Sequence, residues 1–380
     1  MNIKNIDLAT AIKRIRVYVT KTGIPKHTWS PTMPKMWTTN TIVRITTHEG
    51  LEGIGSVFSS TEHGVDRGVA EGMRPLLRGL VSRFGLRREE LWSWMQLRRL
   101  SVSNTSIAGL DIALWDLTAK RANMPLYMLL GGARDRIKAY ASTQVLDTPS
   151  AYVDHIAELR EQGFKAFKFH YKCEPEADIE LMQEVHKVYG GSKLNFMFDA
   201  DAYYTQKGAL RVARQMQEMG YNWLEAPFPD HNLDGYRELR EKVDIPILPG
   251  GNTILDLPAI AHAIRFLCWD AIRIDSTIAG GITPARKIMA LAEAYGMNVE
   301  FQSWGCALSM AANLHLMLAF SNCDFFEMPV PYSEFQHEGL GLIEVDDQGF
   351  VNATELPGLG MEIDWDFVES ISEHSIDVYE

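Results

Sequence analysis

Short apolar runs recur at regular intervals through the later two thirds of the chain, and polar or turn-forming residues bound each of them. Successive runs are 23 to 31 residues apart, measured between the polar residues at or near their ends. A strand, a helix and the two loops that join them need about this length. The pattern predicts eight strands, at 137–142, 166–170, 195–200, 222–227, 246–250, 271–276, 298–303 and 324–329.

Between these runs the apolar residues change to a helical period. In 150–164, for example, Tyr152, Ile156 and Leu159 fall on one stripe of a helix. Eight strands that alternate with helices predict an α/β fold with a TIM-type barrel. A doubly wound open sheet is the alternative. That fold rarely needs eight evenly spaced parallel strands, and no G-x-G-x-x-G motif follows the first strand.

The N-terminal part has a different pattern. Strand-like runs joined by turn residues lie at 12–23, 39–50 and 51–57, and helical runs follow at 64–84, 88–98 and 105–122. This order predicts an α+β domain over residues 1–130. Residues 131–339 then form the barrel, and we expect the tail, 340–380, to pack back on the first domain.

Composition narrows the classes of function. The chain has 380 residues, with 37 Lys and Arg against 49 Asp and Glu, a net charge of −12. Without a basic cluster, nucleic acid and anionic membranes are poor partners. The four cysteines are scattered, the N-terminus lacks an apolar signal core, and no apolar run approaches membrane-spanning length. We therefore expect a reduced, cytoplasmic protein.

Three oxygen-bearing side chains end consecutive predicted strands, namely Asp199, Glu225 and Asn252. In a TIM barrel the chemistry lies at the carboxyl ends of the strands. Two carboxylates and an amide suit a hard cation such as Mg²⁺ and leave positions for water and substrate. The alternative is that Asp and Glu end strands because they cap the next helix.

Strand periodicity places Lys168 and His170 on one face, toward the barrel mouth. An inward lysine in an apolar strand needs an anion, which is either a substrate carboxylate or a barrel carboxylate such as Asp199 or Asp201. Across the mouth, the sixth to eighth strands end in polar side chains, which are Asp275, Gln302 and Glu327. One layer down, the same parity predicts a structural ion pair between Arg273 and Glu300.

Several segments occur in the order typical of one family. The segment AGLDIALWDLTAKRANMPLYMLLGGA at 108–133, and then GFKAFKFH, FDADAYYT, WLEAPFP, IPILPGGN and IRIDSTIAGGIT, resemble the mandelate racemase and muconate lactonising group of the enolase superfamily. The resemblance implies a capping domain over a (β/α)₇β barrel. It also implies Mg²⁺ that stabilises an enediolate, formed when a proton is taken from the carbon beside a carboxylate. A homo-oligomer is implied as well.

Four positions depart from the family pattern. His170 replaces the second lysine of K-x-K, Asp201 the asparagine of D-x-N, Asn252 the third metal-binding carboxylate, and Gln302 the histidine of the seventh strand. Because glutamine cannot accept a proton, the Asp–His dyad formed with Asp275 is absent. Asn252 removes one negative charge, so we expect weaker binding of the free metal and tighter binding of a substrate carboxylate.

With the chemistry that the resemblance implies, the leading hypothesis is the dehydration of a sugar acid in carbohydrate catabolism. His170 would take the α-proton, because its unshifted pKa lies near neutrality. Lys168 would bind the substrate carboxylate and Glu327 would donate a hydrogen bond to it. Asp275 or a water would protonate the departing hydroxyl. A racemase, epimerase or cycloisomerase is the first alternative, although Gln302 weakens it, and a non-catalytic metal-binding or regulatory protein is the second.

Substrate selection is expected in the loops that cover the barrel. Residues 20–37 and 57–64 form two such loops, and from them and the barrel rim the candidate contacts are His27, Trp29, Lys35, His63, Asp201 and Trp304. Trp29 and Trp37 could equally serve as packing anchors. Neither the sugar acid nor its stereochemistry follows from these residues.

Overall fold

The computed structural model describes residues 8–21, 28–61 and 65–380. Near the N-terminus, the strands β1 (Ile12–Lys21), β2 (Trp37–Thr47) and β3 (Glu52–Thr61) form an antiparallel sheet. The helices α1 (Val65–Leu80), α2 (Arg88–Gln96), α3 (Asn104–Arg121) and α4 (Leu126–Leu130) follow. The predicted α+β capping unit is therefore present.

Helix α3 packs directly on β3 because two glycines make room for it. A Cβ atom on Gly53 would lie 2.3 Å from the carbonyl oxygen of Ala113, and one on Gly55 would lie 2.4 Å from that of Gly109. Only residues without side chains allow this approach of helix and strand backbones. Ser103 caps the start of α3 by accepting a hydrogen bond from the Ser106 N–H. This helix thus joins the capping sheet to the barrel.

The eight predicted barrel strands are all present. They are β4 (Arg136–Ser142), β5 (Ala166–Phe169), β6 (Asn195–Asp199), β7 (Trp223–Glu225), β8 (Ile247–Leu248), β9 (Ala271–Ile274), β10 (Asn298–Phe301) and β11 (Phe325–Pro329). Between them lie α5 (Pro149–Glu161), α6 (Pro175–Tyr189), α7 (Gln206–Met219), α8 (Leu233–Arg240), α9 (Leu257–Arg265), α10 (Ser276–Ala279), α11 (Ile282–Ala294) and α12 (Ala307–Ala319). This order confirms the (β/α)₇β barrel.

The barrel strands are parallel, in the order β11-β4-β5-β6-β7-β8, and β9 pairs with β10. The Asp270 N–H donates to the carbonyl of Ile247 at 3.0 Å and links β8 to β9. On the β6–β7 ladder, Asp199 and Glu225 are direct partners. Parallel pairing therefore brings their side chains together at one end of the barrel.

The tail contacts both parts of the molecule. β12 (Phe350–Asn352) pairs with barrel strand β4, and β13 (Ser372–Tyr379), after α13 (Trp365–Ser370), pairs with β1 of the capping sheet. Between them, the buried carboxylate of Asp116 on α3 accepts the Leu359 N–H at 2.7 Å and the Ile54 N–H at 2.8 Å. The domain boundaries predicted above remain predictions. Among the helices of the described ranges, none is long and apolar enough to cross a membrane.

Candidate active site

A cavity of about 550 Å³ lies at the carboxyl ends of the barrel strands, under the capping unit. Its floor carries most of the candidate residues: Lys168, His170, Asp199, Glu225, Asn252, Asp275 and Gln302. Trp29 and Phe58 line it from the capping side, and Trp304 from the loop after β10. The predicted strand ends thus meet in one place, as parallel barrel topology requires.

Lys168 ends among three carboxylates. Its Nζ lies 2.8 Å from Glu327 Oε1, 3.0 Å from Glu225 Oε1 and 3.5 Å from Asp199 Oδ2, and the side chain is buried. The ion pair with Asp199, one alternative predicted from the sequence, is confirmed. The ammonium also reaches two carboxylates for which no such contact was predicted.

Arg273 lies beneath this group, fully buried. Its Nε lies 2.6 Å from Glu225 Oε1, and one of its terminal nitrogens lies 2.7 Å from Glu327 Oε2 and 3.1 Å from the Tyr140 hydroxyl. The predicted ion pair with Glu300 is wrong. The guanidinium extends toward the mouth of the barrel, while Glu300 accepts the Asp324 N–H at 3.0 Å.

These contacts determine the charge on each carboxylate. Burial would raise the pKa of Asp199, but Lys168 and His170 outweigh it and hold the pKa well below its usual range. Burial raises the pKa of Glu225 against the opposing charges of Arg273 and Lys168. Burial would also raise the pKa of Glu327, but Lys168 and Arg273 lower it to about 2. The two neighbouring cations therefore favour the ionised form of Glu327.

A carboxylate only accepts hydrogen bonds, so the donor role predicted for Glu327 would need its protonated form, and that role stays a prediction. Glu327 is fully buried, and its oxygens face Lys168, Arg273 and the N–H of Ser303, which lies 3.2 Å away. Glu327 is not one of the described residues that line the cavity. It lies below Lys168, where its charge neutralises buried positive charge.

His170 is held in one tautomer. Its Nδ1 lies 2.7 Å from the Thr143 carbonyl, which can only accept, so Nδ1 carries the hydrogen and donates it. In the neutral ring the lone pair is then on Nε2. That nitrogen lies 3.3 Å from Asp199 Oδ2, on a side chain that lines the cavity. The arrangement suits a base whose protonated form a neighbouring carboxylate stabilises.

Asn252 and Gln302 are joined through their side chains. The Gln302 Nε2 donates to the carbonyl of Gly250 and to Asn252 Oδ1, the latter at 3.0 Å. Because the Gly250 carbonyl can only accept a hydrogen bond, the side-chain NH₂ of Gln302, and not its oxygen, must face that carbonyl. Asn252 then necessarily turns its oxygen toward Gln302, and that oxygen keeps a second lone pair.

Asp275 lines the same cavity and is buried. It caps α10 by accepting the Thr277 N–H at 2.8 Å, and it accepts the side-chain amide of Asn313 at 2.9 Å. Burial raises its pKa to about 6, and these hydrogen bonds only partly oppose the rise. Asp275 therefore caps a helix, and its predicted role as a proton donor stays a prediction.

Of the predicted substrate contacts, three line the cavity, two lie outside the described residues, and one, Lys35, lies away from the cavity. Trp29 and Trp304 line the cavity and contact each other, with ring centroids 4.9 Å apart, and the Trp304 ring also lies against His170. Asp201 lines the cavity too, and burial, followed by the charge of Asp199, raises its pKa to about 6. His27 and His63 lie outside the described residues.

Lys35 is exposed and is not among the residues that line the cavity, and its predicted contact with substrate stays a prediction. It follows a turn that leads its side chain into solvent. Trp37 packs under the ammonium of Lys21, 4.0 Å from its ring centroid, which agrees with the packing interpretation.

Sequence reasoning missed two charged residues of the site. Parity places Arg273 on an inward face two residues before Asp275, and this position is a signal that the prediction of a structural ion pair does not use. Asp230 lines the cavity and accepts hydrogen bonds from the loop that carries Asn252. It lies in a loop, where periodicity gives no indication of direction.

The donor set fits a divalent cation that prefers oxygen. Asp199 and Glu225 at the ends of β6 and β7, and Asn252 in the loop after β8, present two carboxylates and an amide around one cavity. In residues 8–21, 28–61 and 65–380, no group of three or more His, Cys, Asp or Glu side chains is arranged to hold a metal. A cation here therefore depends on the amide of Asn252 and on water or substrate for its remaining ligands.

Comparison with known families agrees with this architecture. Residues 13–131 match the mandelate racemase/muconate lactonizing enzyme N-terminal domain, and residues 151–367 match the enolase C-terminal domain-like family. The chain therefore belongs to the mandelate racemase/muconate lactonizing enzyme family of the enolase superfamily.

Relatives within the family differ in their reactions. A D-galactonate dehydratase family member from Streptomyces bingchenggensis is 30% identical over 372 residues, covering 85% of this chain and 87% of that protein. An L-Ala-D/L-Glu epimerase from Clostridium acetobutylicum is 29% identical over 332 residues, covering 84% and 90%. The similar proteins are thus enzymes of more than one class.

Solved structures place the fold equally well. A Pseudovibrio sp. protein classed with the mandelate racemase/muconate lactonizing enzymes has a TM-score of 0.94 at 38% identity, with 97% of this chain and 99% of that one covered. A D-glucarate dehydratase from Agrobacterium tumefaciens, complexed with magnesium, has a TM-score of 0.82 at 27% identity, with 96% and 100% covered.

Proposed function

We propose that this chain is a Mg²⁺-dependent acid-sugar dehydratase, a lyase that removes the proton beside a carboxylate and expels a β-hydroxyl. The observation that carries the proposal is the pairing of a tautomer-fixed base with a buried acid on one cavity. His170 offers the Nε2 lone pair, and Asp275, whose pKa burial raises to about 6, offers a proton.

Charge in the floor of the cavity supports binding of a cation together with one carboxylate. Counted as ionised, Lys168 and Arg273 contribute two positive charges, while Asp199, Glu225 and Glu327 contribute three negative ones. The sum over this buried cluster is −1, and Asp230 and Asp275, which also line the cavity, add negative charge when they are ionised. An excess of buried carboxylates favours a divalent cation, and a bound cation in turn favours a substrate carboxylate.

The residues of the chain then perform the elimination. Mg²⁺, when bound, would stabilise the negative charge that develops on the substrate carboxylate. His170 Nε2 takes the α-proton, and the C–H electron pair becomes the Cα–Cβ double bond. The β-hydroxyl leaves with the proton of Asp275 as water. The enol product then loses its O–H proton and gains one at Cβ, which gives a 2-keto acid. The proton on His170 returns through solvent to Asp275, so the net change is the loss of one water.

Gln302 supports elimination over racemisation. A racemase needs a proton-transfer group on each face of the carbanion, and Gln302 holds an amide where the family pattern has a histidine. Its Nε2 is engaged with Gly250 and Asn252. Epimerase relatives keep an isomerase as the second candidate, with Asp275 as the other proton-transfer group.

A screen of acid sugars tests the proposal. The protein with Mg²⁺ is incubated in D₂O with a library of aldonates and aldarates, and 2-keto acid and deuterium at Cα are both measured. A 2-keto product with at least one member is expected. Deuterium incorporation without product would establish the isomerase instead, and neither signal with any member would overturn catalysis on acid sugars.

A further inference from the structure

One buried carboxylate in the loop after β7 holds the loop after β8. Asp230 Oδ1 accepts the N–H groups of Gly250 at 2.7 Å and Gly251 at 3.3 Å. Its Oδ2 accepts those of Asn252 at 2.8 Å and Thr253 at 2.9 Å, and also the Thr253 hydroxyl at 3.2 Å. Asp230 is 5% exposed. Four successive backbone donors thus converge on a single side chain.

This convergence requires an unusual loop. Gly251 has a φ of +73°, a conformation that an L side chain rarely adopts, and a Cβ there would lie 2.5 Å from the carbonyl oxygen of Arg273. The bend turns successive N–H groups to one side, where they form a site for an anion. Asp230 provides that anion from within the chain, so no external ligand is needed to explain it.

The loop held in this way carries Asn252. Its backbone N–H is fixed by Asp230, and its side-chain oxygen is fixed by Gln302, which also holds the Gly250 carbonyl. Asn252 is therefore restrained from two directions, by the loop after β7 and by the end of β10. A neutral amide binds a cation more weakly than a carboxylate does, and so depends more on being held in place before the cation arrives.

We propose that Asp230 is a positioning residue that holds the 250–253 loop so that the Asn252 oxygen is presented to a divalent cation. This inference rests on the metal site of the proposed function. A carboxylate is required, because asparagine at 230 offers one acceptor oxygen and turns an NH₂ group toward N–H donors. Hydrogen bonds to a buried charge are also stronger than neutral ones.

The test measures Mg²⁺ affinity by calorimetry on metal-free Asp230→Asn, together with hydrogen exchange of a peptide spanning 250–253. We expect affinity to fall by about 10- to 100-fold, as is typical when a group behind a ligand is removed. Exchange in 250–253 should accelerate, while peptides from β6 and β7 remain unchanged. Faster exchange with wild-type Mg²⁺ affinity would make Asp230 merely structural, and no change in either would also overturn the proposal.

Asp346→Asn is the matched control. Asp346 likewise accepts backbone N–H groups of its own loop, from Gln348 and Phe350 at 2.9 Å each, but it does not line the cavity. Its loss should leave Mg²⁺ affinity unchanged. An equal loss of affinity in both variants would point to general loosening of the fold and would count against a specific role of Asp230.

Two further variants make the outcome decisive. Asp230→Ser keeps one acceptor and avoids the NH₂ group, and it should weaken Mg²⁺ binding in the same direction. If both Asp230 variants lose the fold by circular dichroism, Asp230 is a structural residue and the proposal fails. Asp199→Asn separates this proposal from the metal site itself: normal Mg²⁺ binding in that variant would overturn the site, whereas lost binding there with normal binding in Asp230→Asn would overturn only the role of Asp230.

Discussion

Lys168 and Glu327 form a fully buried ion pair at the centre of the barrel, with Nζ 2.8 Å from Oε1. Arg273 contacts the other oxygen of the same carboxylate at 2.7 Å. One negative charge thus lies between two positive ones, and the ammonium of Lys168 remains within reach of Asp199 and Glu225 in the cavity floor.

Lys168→Met should reduce both stability and substrate binding. Removing one partner of a buried ion pair leaves uncompensated charge, which typically costs about 3–5 kcal/mol. The floor of the cavity would also become more negative, so a substrate carboxylate should bind poorly while Mg²⁺ still binds. Urea unfolding, calorimetry with Mg²⁺ and KM for the substrate found in the screen measure the three effects. Wild-type KM would show that Lys168 does not act on the substrate carboxylate.

Asn252→Asp should tighten Mg²⁺ binding, because it restores a negative charge beside Asp199 and Glu225. Asn195→Asp is the matched control, since it adds the same charge at the opposite end of β6. Calorimetry should show a clear gain in affinity for the first variant and little change for the second. Weaker binding by Asn252→Asp would mean that hydrogen bonding to Gln302 matters more than charge at this position.

Asp275→Asn should separate proton abstraction from elimination. Asparagine keeps the shape but cannot protonate the departing hydroxyl, so Cα deuterium exchange should persist while 2-keto product is lost. In the wild-type protein, the protonated fraction of Asp275 falls as pH rises above its pKa of about 6. The ratio of elimination to exchange should fall in the same range. If the ratio of elimination to exchange stayed constant from pH 5 to pH 8, water and not Asp275 would be the group that protonates the departing hydroxyl.

Glu300→Gln should remove part of the pH dependence of stability. Burial, followed by the charge of Asp324, raises the pKa of Glu300 from 4.5 to about 7. Folding therefore takes up a proton between these values, and this group makes stability fall as pH rises from about 4.5 to about 7. The effect is of the order of 1–3 kcal/mol.

Urea unfolding at several pH values measures this slope. The slope should be smaller in Glu300→Gln than in wild type, and it should be unchanged in Glu355→Gln, which alters an exposed glutamate. An identical slope in Glu300→Gln would show that Glu300 does not take up a proton on folding.

The barrel and the floor of its site could be predicted because both follow from strand periodicity. Parity alone places Lys168 above the core, and parallel pairing places Asp199 beside Glu225. Strand parity does not predict the partners of long side chains. The Arg273 guanidinium pairs with Glu225 and Glu327 rather than with Glu300. Which carboxylate it contacts depends on the length of its side chain and on the charges around it in the folded barrel.

Loops were harder to predict, because no period sets their direction. Lys35 follows a turn into solvent, whereas Trp29, six residues earlier, reaches the cavity. The contact of Asp230 with the loop after β8 spans about twenty residues of chain and depends on the bend at Gly251. Such contacts can be predicted only when the three-dimensional positions of the two loops are known.

The most direct test of the account is Cα deuterium exchange in D₂O by His170→Asn, with the acid sugar found in the screen. Asparagine can still donate to the Thr143 carbonyl but has no basic nitrogen, so exchange and turnover should both fall by about 10²- to 10⁴-fold. Binding of Mg²⁺ and substrate should remain. His155→Asn, on the outer helix α5, is the matched control and should exchange at the wild-type rate. Wild-type exchange by His170→Asn, with exchange lost in Lys168→Met at normal substrate binding, would contradict the account and make Lys168 the base.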